Sequence, residues 1–255
     1  MTSRQPLQFF ILTFVLSVPF WILQYNTSTQ FLPGLPLSAL AIVSPTLASI
    51  ILVYQREGWT GIRQLLGKAF DFGCIKNKVW YIPLLFLYPS LVVLSYLIMR
   101  INGVDLPIPK FQATSIILLA ITFFAAGLSE ELGWSGYVTE PLQMRLGILG
   151  TGFLLGCVWA AWHWIPLIQV HRSFLWISWW TLYTVSARVI MVWLFYKTGK
   201  SVFGMTLFHM TLNLAWQLFP VNGSYFDMRM VALLITGLAL IIALLTKGFR
   251  TNKFI

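Results

Sequence analysis

The segment Thr114-Ser-Ile-Ile-Leu-Leu-Ala-Ile-Thr-Phe-Phe-Ala-Ala-Gly-Leu-Ser-Glu-Glu-Leu-Gly-Trp134 decides the fold. It is an apolar run long enough for several helical turns, and it closes on two adjacent carboxylates, Glu130 and Glu131. The chain has only seven acidic residues, so two side by side at the end of such a run need a physical reason. A charge in the hydrocarbon of a bilayer costs about 2.5–3.5 kcal/mol on insertion scales. A buried polar group also has to find partners. The pair is therefore the first place to look for chemistry.

Outward from this stretch the composition is uniform. Of 255 residues, 58% are hydrophobic and 9% charged, with a mean hydropathy of +0.79. An ordinary soluble domain has about a quarter of its residues charged. The sequence therefore implies an all-α, polytopic membrane helix bundle forming one transmembrane domain over residues 1–255, without repeats, low-complexity tails or a soluble domain. The net charge of +10 is no nucleic-acid footprint, because the basic residues flank apolar runs, where they act as topology signals. Cys74 in a basic loop and Cys157 in an apolar segment suggest neither a disulfide framework nor a metal knuckle.

A span needs about 20 mostly apolar residues. Eight runs qualify, beginning near Leu7, Leu37, Val79, Thr114, Ile148, Phe174, Ser201 and Met230. They end near Gln24, Tyr54, Met99, Trp134, Gln169, Tyr196, Leu218 and Leu245. The first is long and lacks a small-residue cleavage site, so it reads as a retained span rather than a signal peptide. With the N-terminus inside, the inner loops and ends hold Arg4, Arg56, Arg63, Lys68, Lys76, Lys78, Arg145, Lys197, Lys200, Lys247, Arg250 and Lys253. The outer loops hold Arg100, Lys110, Arg172 and Arg229. That asymmetry predicts cytoplasmic termini. Arg188 lies inside the sixth run and belongs to neither set. In the long basic loop from Gln55 to Lys78, the stretch from Gly61 to Phe70 reads either as a short amphipathic helix on the inner surface or as part of a solvated loop.

Few strongly polar side chains remain within the spans: Glu130, Glu131, His163, Arg188, His209 and Asn213. All fall in the fourth to seventh runs, which suggests one pocket rather than scattered structural contacts. His209 and Asn213 are four residues apart and share a helix face. Adjacent Glu130 and Glu131 point about 100° apart on a helix, so one can face a reaction centre while the other is held by a structural partner. The blander alternatives are an acidic pair capping the helix end, core histidines, and an interhelical Asn contact. A common depth requires the fourth helix to run on to about Val138. It also requires Gln143–Gly152 to be interfacial, with the fifth span starting after it.

These residues resemble the family of CAAX prenyl endopeptidases and bacteriocin-processing or self-immunity membrane proteins. That family carries E-E-x-x-x-R, then F-x-x-x-H, then H-x-x-x-N within membrane helices. Here the counterparts are Glu130-Glu131-Leu-Gly-Trp-Ser135, Trp159-Ala-Ala-Trp-His163 and His209-Met-Thr-Leu-Asn213. The ordered set covers about Leu128 to Trp216, inside a motif-bearing core of about 114–218. Ser135 stands where the family has an arginine that holds the second glutamate. A serine can donate a hydrogen bond but brings no charge. Either Glu131 is held by another group, with Arg188 the obvious candidate, or it is partly protonated, or the site is degraded.

The resemblance implies a multi-pass protein of a bacterial plasma membrane. It implies hydrolysis of a peptide bond in a membrane-embedded or membrane-associated substrate. Glu130 would serve as base for an activated water, and His163 would orient that water or protonate the leaving amine. His209 and Asn213 would act as oxyanion donors, with Glu131 in support. Family members are often called metalloproteases, so the cofactor is either none or a divalent metal such as zinc. The chain lacks the H-E-x-x-H form of a protease zinc site, which leans against tight zinc. Two other readings stay open: a non-catalytic immunity, sensor or scaffold protein on the same frame, and a proton-coupled transporter.

Overall fold

A computed structural model describes residues 5–27, 29–32, 35–219 and 227–246. Arg4, Lys247, Arg250 and Lys253 of the topology argument lie outside them. Among the described residues there are eight α-helices: α1 (Gln5–Tyr25), α2 (Ser44–Gly67), α3 (Tyr81–Ile101), α4 (Ala113–Gly133), α5 (Glu140–Gln169), α6 (Phe174–Lys197), α7 (Val202–Leu218) and α8 (Met228–Thr246). Each overlaps one of the apolar runs. A two-strand antiparallel hairpin pairs β1 (Gln30–Leu32) with β2 (Leu35–Pro36) and is the sole sheet in this part of the chain.

Five stretches are long and apolar enough to cross a bilayer by composition alone: Pro6–Tyr25, Leu37–Cys74, Lys78–Ile101, Ala113–Gln169 and Met228–Thr246. α7, at 17 residues, is too short for that test, and α6 is diluted by its Trp, Tyr, Ser, Thr and Arg188 side chains, which its central position keeps away from lipid. Half of the 24 residues of α6 are buried against protein. In contrast, α1 turns Leu7, Ile11, Val15 and Ile22 outward, and α4 turns out Ile117, Leu118 and Ile121. Those apolar faces meet lipid, while the more polar central helices are solvated by their neighbours. The protein is a polytopic membrane bundle.

Two helices bend at glycine. Gly58 (φ 60°) breaks α2 and Gly147 (φ 67°) breaks α5, both in the left-handed region that side-chain-bearing residues avoid. Beyond Gly58, Gly61, Ile62 and Leu65 turn inward while Trp59, Arg63 and Leu66 stay exposed, so the basic loop contains a short amphipathic helix. The break at Gly147 falls inside the segment expected to be interfacial. It separates the short helix at 140–146 from the long run that carries His163.

The chain does not leave its helix after the glutamate pair. It widens into a π-helix over Trp134–Thr139, all six residues buried. Thr139 Oγ1 donates to the Trp134 carbonyl at 2.6 Å, and Lys68 Nζ donates to that of Gly136 at 2.5 Å. These bonds take up carbonyls displaced by the wide turn, a distortion often found at functional sites. The helix thus continues to about Val138, as the depth argument required.

Close approach of α5 to α6 sets the centre of the bundle. A Cβ on Gly152 would lie 2.7 Å from Val189 Cα, and one on Gly156 would lie 2.7 Å from Val185 Cα. This is small-xxx-small packing of membrane helices. α7 packs on both α3 and α4. Its first turn is held by Asp71, whose carboxylate accepts from Ser201 Oγ (2.8 Å) and the amides of Val202 and Phe203 (both 2.9 Å). A carboxylate at a helix N-terminus satisfies otherwise orphaned amides and suits the helix dipole.

The loops sort onto two ends. Arg56 reaches Tyr137, Lys68 reaches Gly136, and Lys200 pairs with Glu140, so the loops assigned inside meet one another. At the other end Tyr96 and Phe111 pack on Phe219, and Arg172 lies over Trp176.

Candidate active site

Four helices bring five of the six intramembrane polar residues together around Trp159, and the sixth, Asn213, stands one turn from His209 on its helix. α4 supplies Glu130 and Glu131, α5 supplies His163, α6 supplies Arg188, and α7 supplies His209 and Asn213. Glu130, Glu131, Arg188 and His209 are all buried.

The two carboxylates have different partners, as their 100° separation predicted. Glu131 is fully committed. Arg188 binds it bidentately, Nη1 to Oε2 and Nη2 to Oε1, each at 3.0 Å. Ser135 Oγ donates to Oε2 from one turn later in the chain. His209 Nδ1 lies 3.0 Å from Oε1. An ionised carboxylate only accepts, so Nδ1 carries the hydrogen. The charge that Ser135 cannot supply thus comes from α6. The bidentate fork also fixes the carboxylate plane, as a lysine would not.

Glu130 is held more lightly. Its Oε2 accepts from Trp159 Nε1 at 2.8 Å. Its Oε1 faces His209 Nε2 across 3.8 Å, too far for a direct hydrogen bond. A water can sit within bonding distance of both atoms. One glutamate is locked, and its neighbour presents a free oxygen.

His163 is half-buried, with Nδ1 2.8 Å from the Trp159 carbonyl. A carbonyl only accepts, so this nitrogen also carries its hydrogen and Nε2 keeps its lone pair. The ring is walled by Trp159, Trp162 and Trp180, with centroids 5.3, 4.6 and 5.0 Å away. Glu130, His209 and Arg188 are close enough to act on it electrostatically. Asn213 is half-buried one turn beyond His209. Among the described residues its carboxamide has no hydrogen-bond partner.

A catalytic zinc needs about three protein ligands and an open position. Glu131 and His209 Nδ1 are already spent on one another. No three His, Cys, Asp or Glu side chains among the described residues are grouped so as to hold a metal ion. The donor set does not fit a tight zinc site.

The four helices that build this region coincide with a known family. Residues 112–215 match the model for "Type II CAAX prenyl endopeptidase Rce1-like". The chain is also 26% identical over 242 residues to the "CAAX prenyl protease 2" of Methanococcus maripaludis, covering 85% of this chain and 86% of that protein. The chain is similar to the CAAX prenyl endopeptidases. The resemblance read from the three short motifs therefore holds, and the chain is a multi-pass membrane enzyme like the CAAX proteases.

Sequence reasoning named the residues that converge and also Arg188 as the substitute cation. It gave no role to Trp159, which donates to Glu130. Trp159 is one of several tryptophans between Trp159 and Trp193, and composition cannot separate it from the rest. Its signal was the position itself, four residues before His163 and therefore on the same face. Gly152 and Gly156 were also passed over, although G-x-x-x-G in an apolar run marks close helix packing.

Proposed function

We propose that this chain is an intramembrane endopeptidase that hydrolyses a peptide bond of a membrane-associated peptide or protein through a water activated by Glu130. The observation that carries the reading is the 3.8 Å space between Glu130 Oε1 and His209 Nε2, beside a Glu131 already neutralised by Arg188.

The roles follow from the free atoms. Water sits against Glu130 Oε1 and is oriented by the lone pair on His163 Nε2. Its oxygen attacks the scissile carbonyl carbon as Glu130 takes a proton. The oxyanion that forms is met by the Asn213 carboxamide, which has hydrogens to donate. His209 lines the same space and is oriented by Glu131. The carbon–nitrogen bond then breaks, and Glu130 returns its proton to the leaving amine. In such reactions general-base catalysis is worth about two to four orders of magnitude and an oxyanion donor about two to three.

The inner-set cations meet at the end of the bundle where α4 finishes and α7 begins, so we place that end on the cytoplasmic side of a plasma membrane. The name of the archaeal relative suggests substrates ending in C-a-a-X, whose cysteine is prenylated. A serine in place of the motif's arginine favours a non-catalytic protein, and the pairing of Arg188 with Glu131 weighs against that reading.

The test uses the full chain in liposomes with fluorogenic C-a-a-X peptides, farnesylated and unfarnesylated. Wild type is expected to cleave at least one of them and Glu130→Ala neither. Equal turnover by the two proteins would sink the reading.

A further inference from the structure

Trp159 touches every other charged or titratable member of the site except Glu131. Its Nε1 donates to Glu130 Oε2 at 2.8 Å. Its carbonyl takes the hydrogen of His163 Nδ1 at 2.8 Å. The Arg188 guanidinium lies over its ring, 4.1 Å from the centroid. His209 meets it edge-on, with centroids 5.2 Å apart and planes at 82°. The residue is buried, and Gly156, one turn earlier on α5, lets the helix approach α6 closely enough for the ring to lie under Arg188.

We infer that Trp159 is the positioning residue for Glu130, and that with Arg188 it forms one clamp that locks Glu131 while aiming Glu130 at the water. This rests on the reading of Glu130 as the base. A glutamate's terminal torsion is soft, so a carboxylate bound at neither oxygen would rotate between its neighbours. Pinning Oε2 leaves Oε1 turned toward His209 Nε2 at a fixed place. The indole face holds the guanidinium by cation–π attraction, which strengthens where water is excluded. One ring thereby ties the cation of one glutamate to the orientation of the other. A phenylalanine fills the same space and offers a face to Arg188, but it donates no hydrogen bond.

That difference is the experiment. Trp159→Phe, Glu130→Ala and wild type are compared as full chains in liposomes, on a peptide that wild type cleaves. Trp159→Phe is expected to stay folded, to lose kcat by about ten- to a hundred-fold, and to keep KM within two-fold. This matches the loss of one hydrogen bond to a charged group. A second measurement does not depend on turnover. In protein labelled with 5-fluorotryptophan, the fluorine resonance missing from Trp159→Phe is expected to move in Glu130→Gln. Wild-type kcat in Trp159→Phe with Glu130→Ala inactive overturns the positioning role and leaves the base in place. An active Glu130→Ala overturns both. Should Trp159→Phe not fold, a Glu130→Gln spectrum in which no tryptophan fluorine resonance moves overturns the inference alone.

Discussion

Arg188→Met removes the charge from Glu131 while keeping most of the side chain's bulk. In the native protein the guanidinium gives two hydrogen bonds of 3.0 Å to a carboxylate with no exposure. Its loss leaves Glu131 to Ser135 and His209 alone. Breaking a buried pair by removing one partner costs about 3–5 kcal/mol, most of it the stranded charge. For a chain of this size about 1 kcal/mol moves the midpoint by roughly 2–4 °C, so the fall should be on the order of 10 °C. Thermal unfolding in detergent, followed by circular dichroism, reads it directly. The companion variant Arg188→Met/Glu131→Gln removes both charges and should recover most of the stability, but not activity, because His209 loses its ionic partner. A single variant as stable as wild type would refute the reasoning. So would a double variant no better than the single, since the cost would then be lost packing and not an orphaned carboxylate.

Other outcomes follow from the same geometry. Glu130→Gln should fold normally and lose about two to four orders of magnitude in turnover, read in the peptide assay. Asn213→Ala should lower kcat by about a hundred-fold or more with little change in KM, as removal of an oxyanion donor does. Gly156→Leu forces a side chain against the backbone of α6 at Val185 and should lower both midpoint and activity, at a cost of about 1–3 kcal/mol or more. Asp71→Ala should cost about 0.5–2 kcal/mol through lost capping of α7, with a smaller effect on turnover than Asn213→Ala.

The spans were legible because a bilayer imposes a length and a composition that no loop satisfies. α6 and α7 were found as apolar runs of the right length, although their composition is diluted by the residues that make the site. The break at Gly147 was anticipated only as an interfacial segment. The π-helix after Gly133 was not foreseen, since its wide turn follows from packing against Lys68 and α2 rather than from local propensity. Arg188 could be matched to Glu131 from sequence because a buried cation must meet a carboxylate, and few exist within the spans. Trp159 could not be, because tryptophan in a membrane has many ordinary uses. The packing of α5 against α4 and α6 decides which indole points at Glu130.

The central claim is that Glu130 activates water rather than attacking the substrate itself. A single turnover in water enriched in oxygen-18, with enzyme in excess over peptide, tests it most directly. The account predicts one heavy oxygen in the new carboxylate of the product and none in the enzyme. Heavy oxygen in the Glu130 side chain, with an unlabelled product, would mean a covalent acyl-enzyme and contradict it.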